Sequence, residues 1–174
     1  MLNTHISILA AAILLYVAYN CPSTKPKETN LVFYVHDYLT GHDASAVTIA
    51  GKAGPTSSIL HFGTILAVDD VVTEGPTLES GEIGRAQGMY INSALDGKGL
   101  HLVFSVIFTG GPYGGSTLEI QGADLFAMEV REFGVVSGTG YFRFVRGYGL
   151  METEFLDLVN LRGILKLNVT VRHY

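Results

Sequence analysis

From Asn30 to the last residue the chain is a succession of short apolar runs, each broken by Gly, Asp or Pro, and none keeps a helical period. Runs of four to ten residues rich in Val, Ile, Phe, Tyr and Thr read as strands, and the breaks read as turns. The predicted strands are residues 31–38, 46–50, 63–68, 83–91, 100–108, 117–120, 132–136, 141–145, 149–154 and 164–173. Residues 156–164 are expected to form one short helical turn. The 21 glycines, single except at Gly110-Gly111 and Gly114-Gly115, are spread along the chain without the strict period of collagen. Tryptophan is absent, and nine Tyr and nine Phe supply the aromatic volume. An all-β domain follows.

Two runs are apolar on both faces. In residues 31–38, Leu31, Phe33 and Val35 alternate with Val32, Tyr34 and His36; in residues 100–108, Leu102, Phe104 and Val106 alternate with Val103 and Ile107. Such strands need cover on both sides. With no helix to supply it, a barrel interior covers one face and a partner subunit or second layer the other. The expectation is a closed barrel and a homo-oligomer. The last run is cleaner, with Leu165, Leu167, Val169 and Val171 on one side and Lys166, Asn168, Thr170 and Arg172 on the other.

No second composition zone or internal repeat divides the 174 residues, so one domain, 30–174, is expected. Ahead of it, Ile6–Val17 is an apolar run, interrupted only by Ser7, of signal-peptide length and too short to span a bilayer comfortably. Residues 1–20 therefore read as a cleaved signal and 21–29 as a polar, disordered spacer. The signal implies secretion, with no membrane association once it is removed. Cys21 is the single cysteine and lies at this junction, so the mature domain holds together without a disulfide. Asn168-Val169-Thr170 is a glycosylation sequon whose Asn falls on the polar face of its strand.

A net charge of −5 with no basic patch argues against nucleic acid. Six histidines without ligand spacing predict no metal site, and no flavin or nucleotide pattern predicts a cofactor. Gly138-Thr139-Gly140 reads as a hairpin turn rather than a phosphate loop. Asp69-Asp70 reads as a calcium pair or, more simply, as two solvated carboxylates. The chemistry worth weighing lies elsewhere. Asp37 continues the apolar stripe of Leu31, Phe33 and Val35, and Asp124 continues that of Leu118, Ile120 and Gly122. A barrel would turn both carboxylates inward, where burial raises a carboxyl pKa and lets it donate a proton near neutrality. The alternative is that both only cap turns. Arg131 and Arg85 are the nearest cations in sequence. Tyr34, Tyr38, Tyr90, Phe104 and Phe108 are candidates to line an aromatic pocket.

The same residues carry a resemblance. Phe33-Tyr34-Val35-His36-Asp37, His61-Phe62-Gly63, Gly84-Arg85-Ala86-Gln87-Gly88, Gly122-Ala123-Asp124, and Arg131-Glu132-Phe133 leading into Val136-Ser137-Gly138-Thr139-Gly140 resemble, in order, the signature blocks of plant dirigent proteins. The resemblance covers essentially all of 30–174. It implies an eight-stranded antiparallel β-barrel with a central pocket, homotrimeric association, glycosylation and secretion to the apoplast. It also implies stereocontrol of phenoxy radical coupling or quinone-methide chemistry in lignan or isoflavonoid biosynthesis, with an external laccase or peroxidase where radicals are needed. Asp37, Asp124 and Arg131 match the family's catalytic positions, and Arg85, Tyr90 and Phe104 are assigned to phenolic substrate binding. The missing disulfide resembles the branch that includes pterocarpan synthases, which dehydrate 2′-hydroxyisoflavanols. A defence or cell-wall binding role without turnover is the third expectation.

Overall fold

The computed structural model describes residue 16, residues 25–51 and residues 59–174. The expected signal lies outside the described residues except for Tyr16, and so do Cys21 and the first residues of the spacer. Nine antiparallel strands are formed among the described residues: β1 (Lys27–Tyr38), β2 (Ala46–Ala50), β3 (Ile65–Thr73), β4 (Glu82–Asn92), β5 (Leu100–Phe108), β6 (Thr117–Asp124), β7 (Val130–Thr139), β8 (Arg146–Asp157) and β9 (Arg162–His173). They pair in the order β1-β9-β8-β7-β6-β5-β4-β3, and β1 then pairs with β3 to close an eight-stranded barrel. The extra strand, β2, continues along the edge of β3 where β1 leaves it. The barrel expectation holds.

β1 begins at Lys27, inside the stretch read as spacer, because Lys27 to Asn30 ladder onto His173 to Thr170. The folded domain therefore starts three residues before Asn30. A second correction concerns residues 141–145. Their alternation of Tyr, Phe and Val imitates a strand, yet Gly140–Phe142 is a short 3-10 turn opened by Gly140 at φ +60°. The turn drives Phe142 into the barrel end, where it is fully buried against Phe108 and Tyr113, with ring centres 5.7 and 5.0 Å away. Phe33 packs edge-on against Phe108 from below. The aromatic cluster plugs this end. At the other end, the expected helical turn over 156–164 is absent. β8 runs on to Asp157, whose carboxylate accepts the Val159 and Asn160 amides in a tight turn into β9.

The period of two sorts the side chains. Phe33, Val35, Leu66, Val72, Val106, Leu118, Ile120, Phe133, Met151 and Leu167 fill the interior and are almost wholly shielded. Gly149 makes room for this packing: a Cβ there would lie 2.1 Å from Phe133 Cζ on the paired strand. The outer face is different. Val47, Ala67, Met89 and Val103 are register partners in a row across β2, β3, β4 and β5, and Val47, Met89 and Val103 stand about half exposed or more.

Candidate active site

With the plug closing one end, the barrel opens at the other into a cavity of about 200 Å³ at the mouth, continuing into an inner chamber of about 50 Å³. Val35, Val68, Leu102, Phe104, Met151 and Leu167 make the inner chamber apolar. Leu39, Ile59, Leu60, Phe126, Leu156 and Leu158 make the mouth apolar too. Between these two zones sits a polar belt. Asp37 from the end of β1, Tyr90 from β4 and Asp124 from β6 line both chambers; Asp70 from β3 lines the inner one, and Arg131 from β7 and Thr153 from β8 line the mouth.

The belt is tightly bonded. Tyr90 donates from its hydroxyl to Asp37 Oδ2 at 3.0 Å. Arg131 Nε donates to Asp124 Oδ1 at 2.9 Å, and its Nη1 donates to Thr153 Oγ1 at 2.9 Å and Met128 O at 3.4 Å. The Arg131–Asp124 pair is almost dry, with 3% and 7% of the side chains exposed. Ser45 donates its hydroxyl to Asp70 Oδ1 at 2.6 Å. One buried polar atom of the belt, Asp37 Oδ1, has no partner among the described residues.

Burial and mutual repulsion set the protonation states. Burial pushes Asp37 up to about 6, against the Tyr90 hydrogen bond and with help from the Asp124 charge. Burial and the Asp37 charge push Asp70 up to about 8, against the Ser45 hydrogen bond. Asp124 is also raised by burial, although Arg131 opposes the shift. Burial and Asp37 hold Tyr90 well above the usual phenol range, so it stays a donor. Near neutral pH the belt thus offers a protonated Asp70 beside a largely ionised Asp37.

This has a cost that shows in stability. Both acids hold a proton more tightly folded than unfolded, so stability falls as pH rises from their ordinary value of 3.8 to about 6 for Asp37 and about 8 for Asp70. His36 and His173, lowered by burial, act in the opposite sense below their ordinary 6.5. Between pH 6.5 and 8 the Asp70 contribution stands clear. Denaturant melts should lose up to about 1.4 kcal/mol per pH unit there. Asp70→Asn should flatten that limb; an unchanged slope would remove Asp70 as its source.

The structure brings together Asp37, Asp124, Arg131, Tyr90 and Phe104 from the residues singled out in the sequence. Arg85 is a correction. Gly84, Ala86 and Tyr90 take the inward phase of β4, which turns Arg85 to the outer surface, where its Nε donates to Asp69 Oδ1 at 2.8 Å. Asp69 and Asp70 point to opposite sides of β3 and form no cation pair. Sequence reasoning missed Asp70, although it continues the stripe of Leu66 and Val68 as Asp37 continues its own. It also missed Ser45 and Thr153, for which no period gives a signal. Asn168 is exposed on the outer face of β9, and the sequon's Thr170 donates its hydroxyl to Asn30 Oδ1 at 2.8 Å.

The model of the dirigent-like proteins matches residues 28–172, all of the barrel but its first and last strand residues. The chain belongs to the dirigent-like protein family. Dirigent protein 11 of Arabidopsis thaliana is 41% identical over 147 residues, covering 84% of this chain and 75% of that protein. Pterocarpan synthase 1 of Glycine max is 40% identical over 147 residues, covering 84% and 79%. Among solved structures, the pterocarpan synthase dirigent protein GePTS1 aligns with a TM-score of 0.82 at 38% identity, covering 86% of this chain and 92% of that one. The polar belt thus lies inside a dirigent barrel.

Proposed function

We propose that this dirigent protein binds one phenolic molecule in its barrel and steers a quinone-methide reaction to a single stereoisomer. The step that fits the belt best is loss of water from a 2′-hydroxyisoflavanol-type alcohol. The observation that carries this reading is Asp37, buried, with Oδ1 unpartnered in the cavity and a pKa raised to about 6. Such an oxygen wants a ligand hydroxyl, and such a pKa suits proton transfer near neutrality. A protonated carboxyl gives its proton to the departing hydroxyl, which leaves as water. An ionised one takes the phenol proton as the quinone methide forms; the 2′-hydroxyl then closes the ring on the carbon that lost oxygen, its proton going to the carboxylate left by the acid while the second carboxyl returns the phenol proton. Two carboxyls with pKa values pushed apart supply both roles. Arg131 lies at the mouth to stabilise developing negative charge on oxygen.

The cavity volume supports one ligand, since it is small for a ligand site. A scaffold for radical coupling is the second reading, favoured by the 41% identity to a protein named dirigent rather than synthase; an external laccase or peroxidase would then make the radicals. The apolar row Val47–Met89–Val103 supports a homo-oligomer, a trimer by family resemblance. The Ile6–Val17 run supports secretion to the apoplast, and exposed Asn168 supports glycosylation. Racemic 2′-hydroxyisoflavanol incubated with the protein alone should be consumed, one enantiomer faster. Coniferyl alcohol with a laccase should give racemic lignan, with or without the protein. No consumption across a panel of such alcohols, with enriched lignan in the second assay, would replace the first reading by the second.

A further inference from the structure

The barrel wall has a seam. β1 pairs with β3 only over Val71–Thr73, and β2 pairs with it over Ile65–Val68, so Asp69 and Asp70 fall between the two ladders. Ser45 fills the gap. Its backbone is clamped there, its N–H donating to Tyr38 O at 2.8 Å and its carbonyl accepting from Asp69 N at 2.9 Å. Its hydroxyl oxygen lies 2.6 Å from Asp70 Oδ1, 3.3 Å from His36 O and 3.1 Å from Tyr38 N. A serine hydroxyl carries one hydrogen and two lone pairs. Tyr38 N–H occupies one lone pair, so within the protein the hydrogen goes either to Asp70 or to His36 O, never to both.

The two settings match the two states of Asp70. When Asp70 is ionised, Ser45 donates to it. When Asp70 is protonated on Oδ1, the carboxyl donates to Ser45 Oγ and the serine hydrogen turns away. Ser45 also borders a separate cavity of about 310 Å³ on the outside of the barrel, walled by Tyr38, Asp43, Asp69, Arg85 and Leu78. Asp70 therefore faces the inner chamber on one side and, through one hydroxyl, the outer cavity on the other. A ligand in the mouth closes the ordinary route from that chamber to water.

We propose that the Ser45 hydroxyl is a proton relay through the barrel wall, the main route by which the Asp70 proton exchanges with water, by way of the outer cavity. In the outward step the serine hydrogen leaves its 3.3 Å contact with His36 O for a water or buffer base in the outer cavity; that O–H bond breaks as the Asp70 O–H bond breaks and a new one forms on Ser45 Oγ. The inward step is the reverse, and no other reactant is needed. Ser45 is a positioning residue, since it touches Asp70 and not the ligand. The proposed function enters only in what the proton is used for. Asp37 on β1, Asp69 on β3, Arg85 and Tyr90 on β4 and Asp124 on β6 are the charged or titratable groups that act on Asp70 or Tyr90, and His36, Tyr38 and Asp43 border the outer cavity.

Carbon-13 spectra of the aspartate carboxyls test this without substrate, with Asp70→Asn assigning the signal. Near its midpoint wild-type Asp70 should give one averaged signal that sharpens as imidazole buffer is added. In Ser45→Ala the exchange should slow about tenfold or more, splitting protonated and ionised signals, and the midpoint should rise because the ionised form has lost a hydrogen bond. Ser45→Thr should restore the averaged signal. Equal exchange rates in wild type and Ser45→Ala overturn the relay. So does slow, buffer-independent exchange in the wild type, which needs no variant to fold. Failure to turn over any isoflavanol would overturn the proposed reaction and leave these spectra unaffected.

Discussion

Asp37→Asn should lower kcat/KM on a 2′-hydroxyisoflavanol by about two to four decades while leaving the barrel folded. The amide preserves the shape of the side chain, and its oxygen still accepts the Tyr90 hydroxyl that now bonds Oδ2. What it loses is the ability to take up and release a proton. Because burial holds the native carboxyl up to about 6, ionised Asp37 destabilises the fold, and the asparagine variant should melt no lower than wild type at pH 8. Rate and stability therefore move in different directions, which separates a chemical role from a structural one. Measured turnover and melting on the same preparation decide it. Turnover within a factor of a few of wild type would remove Asp37 from proton transfer and leave Asp70 as the remaining raised, cavity-facing acid without a cationic partner.

Much of this belt was legible in the sequence, and the failures have physical causes. Alternation alone turned Asp37 and Asp124 inward, because a residue that continues an apolar stripe follows it into the barrel. The same rule applied to β3 yields Asp70, but neighbouring Asp69 made the pair look solvated. β4 defeats the rule in another way. Gly84, Ala86 and Gly88 are too small to announce an inward face, so Arg85 and Gln87 gave no contrast, and only Tyr90 fixed the phase. Residues 141–145 failed because tertiary packing overrode local pattern: Phe142 is worth more as a buried plug than as one more strand residue. Thr153 and Ser45 enter through strand order and a seam, which depend on how distant strands pair rather than on any local period.

Arg131→Met is the substitution expected to damage the fold most. Its guanidinium is the counter-charge of Asp124, both side chains are almost dry, and it also holds Thr153 across the mouth. Removing one partner of such a pair strands the other charge in a low-dielectric site, which costs about 3–5 kcal/mol. Asp124 has one escape, to take up a proton. Its pKa is already raised by burial with Arg131 opposing, so without Arg131 it rises further. The loss should therefore be larger at pH 8, where the stranded carboxylate must stay charged, than at pH 5, where protonation relieves it. Adding Asp124→Leu should recover much of the stability, since apolar groups of similar size replace a buried ion pair at little cost. Turnover should not return with it, because the charge at the mouth is gone. Denaturant midpoints of the two single variants and the double at both pH values close the cycle. A loss in Arg131→Met that is equal at pH 5 and pH 8 would mean that packing, not the stranded charge of Asp124, is what Arg131 supplies.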